Sequence, residues 1–129
     1  MPADFDENMG DMHTILIVDD DTKFRAQAAA LLEADGFVVV GEAIDGASGI
    51  RAIRALRPDY VLRDIGLPDV EGFEVAQELA AAGPPPLVVL TSSRDAAAYG
   101  SRLADSRSLG FIAKEDLSGA AIRALVDPG

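Results

Sequence analysis

The chain contains no cysteine and no tryptophan, a single histidine and only two lysines in 129 residues. Without cysteine it has neither a disulfide framework nor a thiolate metal site. One imidazole, His13, has no partner histidine or cysteine in the sequence and reads as a solvated residue rather than a metal ligand. Apolar runs stop at four or five residues, far short of the roughly 20 that a membrane helix needs. The opening Met1-Pro-Ala-Asp-Phe-Asp-Glu-Asn8 is acidic and lacks the basic and apolar regions of a signal peptide. Basic residues are scarce as well: 22 Asp and Glu face 11 Lys and Arg, for a net charge of −11. A protein that grips nucleic acid needs clustered Lys and Arg against phosphate, so direct nucleic-acid binding is not expected. The expectation is a soluble, cytoplasmic protein without membrane contact.

What is present is core material. Hydrophobic residues make up 49% of the chain, and its length suits one compact domain. Residues 1–12 are polar, acidic and aperiodic, and are expected to form a disordered tail ahead of a domain over 13–129. Five short apolar runs then recur: Ile15–Val18, Phe37–Val40, Tyr60–Leu62, Leu87–Leu90 and Phe111–Ala113. Runs of this kind read as strands buried on both faces.

Helical spacing separates them. Phe24, Ala28, Leu31 and Leu32 share a face after the capping residues Asp21 and Thr22, with Gly36 as the stop. Ala47, Ile50 and Ile53 mark a second helix closed by Pro58, and Phe73, Ala76, Leu79 and Ala80 a third. A weaker fourth, carrying Gly100, runs from Asp95 to about Asp105; a fifth starts near Leu117 or Ser118. The alternation implies an open α/β fold with a parallel sheet and helices on both faces.

In such folds ligands bind beyond the carboxyl ends of the strands. The first run leads into Asp19-Asp20-Asp21, the third into Asp64, the fourth into Thr91-Ser92-Ser93 and the fifth into Lys114. Two carboxylates about 4 Å apart repel by about 4 kcal/mol at an effective dielectric of 20, so such a cluster calls for a proton or a cation. Oxygen-only ligands at a partly open site suit Mg²⁺. A divalent cation, a lysine, a hydroxyl and one spare carboxylate together suit phosphoryl transfer, with the carboxylate as nucleophile. Taken singly, each acid is more often a helix cap or a solvated turn. The convergence of four strand ends is what points to chemistry.

Four blocks carry a resemblance: Ile15-Leu-Ile-Val-Asp-Asp-Asp21, Pro58-Asp-Tyr-Val-Leu-Arg-Asp-Ile-Gly-Leu-Pro-Asp-Val-Glu-Gly72, Leu90-Thr-Ser92 and Gly110-Phe-Ile-Ala-Lys114. In order and spacing they resemble the receiver domains of two-component response regulators, the CheY-like superfamily, over about Thr14 to Val126. The resemblance implies a doubly wound, flavodoxin-like three-layer fold with five parallel strands in the order 2-1-3-4-5. It implies that Asp64 accepts a phosphoryl group from a sensor histidine kinase or phosphotransfer protein. Asp20 then binds Mg²⁺ directly, Asp19 largely through water, and Asp64 and the Gly66 carbonyl add ligands. Lys114 pairs with Asp64, Thr91 hydrogen-bonds the phosphoryl group, and Thr91 with Phe111 forms the switch. The readout is the surface of the fourth helix, fifth strand and fifth helix, through which receivers often dimerise when phosphorylated. Such a chain assists its own phosphorylation and dephosphorylation without being a turnover enzyme.

Departures from the family pattern are informative. Lys114 is followed by Glu115-Asp116-Leu117 instead of the usual Pro, a variant similar to LuxR/NarL-type regulators, whose receiver precedes a helix-turn-helix output domain. The close at Val126-Asp-Pro-Gly129 suits either a single-domain regulator or a piece of a longer one, and the output partner is not indicated. Ser106-Arg107-Ser108 replaces a small Ala-Gly-Ala turn. Arg63 puts a cation on a central strand, where it is expected to snorkel outward. Gly66 and Ser93 lack the carboxamide or carboxylate that positions an attacking water, which predicts a long-lived phosphorylated state. Two other readings compete. One is a receiver-like interaction module that works without phosphorylation. The other is a haloacid-dehalogenase-like phosphatase, for which Asp19-Asp20-Asp21-Thr22 puts the hydroxyl one place early.

Overall fold

The computed structural model describes residues 13–67, 86–92 and 109–126. Five parallel strands, β1 (Thr14–Val18), β2 (Val38–Ala43), β3 (Tyr60–Asp64), β4 (Leu87–Ser92) and β5 (Gly110–Ala113), form one sheet in the order β2-β1-β3-β4-β5. Helices α1 (Thr22–Ala34), α2 (Gly46–Leu56) and α3 (Gly119–Val126) flank it, and a short 3₁₀ turn spans Lys114–Asp116. The fold is doubly wound α/β, as expected. The expected third helix (73–80), the fourth (95–105), the Ser106-Arg107-Ser108 turn and the 1–12 tail lie outside the described residues.

Side-chain alternation divides the core between the two faces of the sheet. Ile15, Ile17, Tyr60, Leu62, Val89 and Ile112 meet Phe24, Ala28 and Leu32 of α1 and Ile122 of α3 on one face. Leu16, Val18, Val61, Val88 and Leu90 meet Ile53 of α2 on the other. Fully burying each Val, Leu, Ile or Phe among them stabilises the fold by roughly 1.5–3 kcal/mol.

Local chemistry sets the helix ends. Asp21 caps α1, its Oδ1 accepting from the backbone N–H of Lys23 at 3.0 Å and of Phe24 at 3.2 Å. Gly36, at φ 96°, takes the left-handed turn that follows α1. Asp45 and Ser48 form a reciprocal capping box at the start of α2, whose end is a left-handed Arg57 followed by the buried Pro58.

Several expectations need correction. The second strand starts one residue later and runs on through Gly41-Glu42-Ala43, because Phe37 turns into the core and Val38 N–H takes up His13 O at 2.8 Å. The third and fourth strands likewise run past their apolar runs to Asp64 and Ser92. Ala47 faces solvent; Gly46, Gly49 and Ile53 form the buried side of α2. Leu31 lies at the margin of its helix face, 38% exposed. His13 is half-buried rather than solvated, edge-on to Tyr60 at 5.4 Å.

Candidate functional site

The order β2-β1-β3 puts the topological switch point between β1 and β3, since the chain leaves β1 towards one edge of the sheet and later leaves β3 towards the other. The loop leaving β1 carries Asp19-Asp20, and β3 ends on Asp64, with Ile65-Gly66 following. One carboxylate oxygen from each of Asp19, Asp20 and Asp64 lies within 4.8 Å of the others. Asp19 is fully buried, Asp64 half-buried and Asp20 exposed, so the cluster opens to solvent on one side.

Backbone donors hold the carboxylates in place. Asp21 N–H donates to Asp19 Oδ1 at 2.8 Å, and Gly66 N–H donates to Asp64 Oδ1 at 2.8 Å. A Cβ at position 66 would stand 3.3 Å from that same oxygen, so glycine leaves room directly beside the Asp64 carboxylate. Lys114 reaches in from the end of β5. Its Nζ lies 2.9 Å from Asp19 Oδ2 and 3.5 Å from Asp64 Oδ2, and 4.4 Å from the centre of the Phe24 ring. The lysine thus bridges two acids and sits closer to Asp19 than to Asp64, its expected partner.

The two members of the Lys114–Asp19 pair respond differently to their surroundings. Burial would lower the Lys114 pKa, but the contact with Asp19 and the charge of Asp64 outweigh it and hold the ammonium above its usual value. The Asp19 carboxyl is also pushed up, by burial first and by repulsion from Asp64 as well, against the pull of Lys114 and the Asp21 N–H. One ammonium therefore does not neutralise the cluster. The remaining negative charge, presented on oxygen atoms alone, fits a hard divalent cation.

Thr91 sits directly opposite Asp64 in the β3–β4 register and is fully buried. Its Oγ1 has no hydrogen-bond partner among the described residues, an arrangement that costs energy unless a ligand supplies one. Phe111, paired with Leu90, is half-buried against the α2-side cluster. Arg63 departs from expectation. It is only 5% exposed, so it does not snorkel to solvent; it lies on the α2 side, and its Nη1 comes within 3.5 Å of the Asp64 carbonyl oxygen.

Sequence reasoning passed over Arg25. Its Nη1 donates to the Asp19 backbone oxygen at 2.6 Å and its Nε to Glu42 Oε1 at 3.0 Å. The available signal was an arginine one turn into the helix that follows the acidic pair.

An open α/β sheet with an acid cluster at its switch point, faced by a lysine and a buried hydroxyl, defines a phosphoryl-handling signalling domain. The family model for the response regulator receiver domain matches residues 15–126, and the chain belongs to that family. It is 32% identical over 102 residues to the transcriptional regulatory protein PdtaR of Mycobacterium tuberculosis, covering 78% of this chain and 48% of that protein. It is 37% identical over 108 residues to protein-glutamate methylesterase/protein-glutamine glutaminase 6 of Anaeromyxobacter dehalogenans, covering 83% of this chain and 31% of that one. The signal receiver domain of NarL from Mycobacterium tuberculosis superposes with a TM-score of 0.73 at 27% identity, covering 90% of this chain and 98% of that one. The chain spans about half the length of the curated transcriptional regulators it matches. The chain is thus a two-component receiver domain, and the interaction-module and phosphatase readings are not favoured. No described helix is long and apolar enough to cross a membrane.

Proposed function

We propose that Asp64 is the phosphoacceptor and that its donor is a phosphohistidine on a sensor histidine kinase or a phosphotransfer protein. The observation that carries this reading is the gathering of Asp19, Asp20 and Asp64 within 4.8 Å, with Lys114 between Asp19 and Asp64. A carboxylate oxygen of Asp64 bonds to phosphorus as the P–N bond breaks, and the electron pair leaves on the imidazole nitrogen. The Lys114 ammonium faces the reacting carboxylate and takes up charge on the phosphoryl oxygens. Thr91 Oγ1, unpartnered among the described residues, donates to one of those oxygens, and Phe111 moves with it as the switch.

Asp19, Asp20 and Asp64, with the Gly66 carbonyl, are the residues that hold Mg²⁺. When bound, the ion supplies positive charge to the equatorial phosphoryl oxygens. The chain acts in the cytoplasm as a stoichiometric acceptor that assists its own phosphorylation and dephosphorylation, not as a turnover enzyme. Its output runs through the surface of β5 and α3, together with the 95–105 segment expected as the fourth helix, to a partner or to a second phosphorylated copy.

Intact-mass measurement after incubation with acetyl phosphate and Mg²⁺ tests the assignment. The wild type should gain one phosphoryl group and Asp64→Asn none. An undiminished gain in Asp64→Asn, or no gain in the wild type, would defeat it.

A further inference from the structure

Arg25 joins three segments that meet beside the acid cluster. Its side chain is 12% exposed. Nη1 donates to the Asp19 carbonyl at 2.6 Å, Nε to Glu42 Oε1 at 3.0 Å near the end of β2, and Nη2 to Thr22 Oγ1 at 3.3 Å in the first turn of α1. The carbonyl it grips belongs to the peptide unit that joins Asp19 to Asp20. That unit is planar, so holding its oxygen sets the direction in which the Asp20 backbone, and with it the side chain, departs.

Asp19 has its own restraints: its N–H donates to Ala43 O at 3.0 Å and its Oδ1 accepts from Asp21. Among the described residues Asp20 has none of that kind. Its side chain is exposed and forms no hydrogen bond among the described residues, so its backbone is what aims it. A guanidinium suits this task because its rigid fork satisfies several acceptors at once, whereas an ammonium is a compact point charge on a flexible stem.

We propose that Arg25 is the positioning residue of the acidic pair, its fork braced by Glu42 and holding the Asp19–Asp20 peptide so that the Asp20 carboxylate is presented to the cation. The inference rests on the reading of the cluster as a Mg²⁺ site. It predicts a sign that charge alone would reverse. Arg25 is itself a cation beside a cation site, so if it acted only through its charge, removing it would tighten Mg²⁺ binding. If it acts by holding the peptide, removing it weakens binding, and lysine in its place fails to restore it.

The test is Mg²⁺ titration by calorimetry on the unphosphorylated wild type, Arg25→Met and Arg25→Lys. It is paired with the Mg²⁺ dependence of phosphorylation by acetyl phosphate, and melting curves in EDTA report the fold of each protein. Both variants should bind Mg²⁺ about tenfold more weakly, the low end for groups that orient metal ligands. The phosphorylation rate at saturating Mg²⁺ should return to the wild-type plateau, a recovery that general loss of structure would not allow. Unchanged or tighter Mg²⁺ binding in the variants, or a lowered plateau, overturns the proposal. If Arg25→Met does not fold, Arg25→Lys decides, since it keeps the charge and the aliphatic stem. A wild type that takes up no Mg²⁺ sinks the parent reading of the cluster instead.

Discussion

At the amino end of the sheet, Thr14 N–H donates to Asp59 Oδ2 at 3.0 Å while Asp59 N–H donates back to Thr14 Oγ1 at 2.8 Å. Asp59 O also accepts from Leu87 N–H at 2.9 Å, so one loop residue ties β1, β3 and β4 together. Nearby, the rings of Phe37 and Tyr60 meet edge-on at 5.6 Å, and the Arg123 guanidinium lies 4.7 Å from the Phe37 centre. At the carboxyl end, the buried Asp19 faces Asp64 with one lysine between them, and the Thr91 hydroxyl has no partner among the described residues. Among the described residues, the polar groups named at the first end pair with one another; at the second, three acids share one lysine and Thr91 Oγ1 has no partner. The two ends share strands and differ in what completes them, which separates stability from function along the strand axis.

The strongest way to break that comparison is at Lys114. Lys114→Met should slow phosphorylation by acetyl phosphate by about 100-fold, the scale for losing one preorganised group that stabilises developing charge. Mg²⁺ binding should tighten in the same variant, because the ammonium competes with the ion for Asp19 and Asp64. Rate measurements and calorimetry on one preparation check both directions. A phosphorylation rate equal to the wild type's would mean that the carboxyl end does not depend on its lysine.

The matched groups on the opposite side call for the reverse result. Asp35 accepts from Gly119 N–H at 2.7 Å and so caps the first turn of α3, while its backbone oxygen accepts from Arg123. Asp35→Ala should cost about 1 kcal/mol, the usual worth of a lost N-terminal cap. That corresponds to a fall of about 4 °C in melting temperature for a domain of this size. Phosphorylation kinetics should stay at the wild-type rate. A large kinetic defect with an unchanged melting temperature would erase the division between the two ends.

The parallel sheet and the four strand ends were legible because each strand is a short apolar run followed at once by a polar residue. Strand limits were not. Asp64, Thr91 and Ser92 belong to the strands, since pairing is a backbone property and continues wherever a neighbour offers the register. Arg63 illustrates a limit of composition-based reading: strand alternation sent it to the face opposite Asp64, but a lone sequence does not show how completely that face is covered. Ala47 misled for a related reason, because alanine suits either side of a helix and Gly46 and Gly49 take the close approach instead. Arg25 escaped because its main acceptor is a backbone carbonyl, which no residue type announces. The site's chemistry could thus be read from side chains, but the device that aims it could not.

The finest discrimination between the two ends is in pH. An acid whose pKa is raised on folding binds its proton more tightly in the folded state than in the unfolded one. Asp19 therefore lends stability that is fully present below its ordinary value of 3.8 and drains away as pH climbs through the raised value. Lys114 is raised too, so its contribution holds below 10.5 and is lost only as pH rises beyond it. Between those limits the cation-free protein retains one buried acid that would be more stable protonated. In EDTA, Asp19→Asn should remove the loss of stability that Asp19 brings as pH rises through its raised pKa, and should melt slightly higher than wild type near neutral pH. With excess Mg²⁺ the order should invert, since the wild type gains from an ion that the carboxamide binds poorly. Melting curves of both proteins across that pH range, with and without Mg²⁺, read the difference directly. A wild type that stays the more stable of the two in EDTA would mean that Lys114 alone neutralises the buried carboxylate, leaving the carboxyl end as well matched as the amino end.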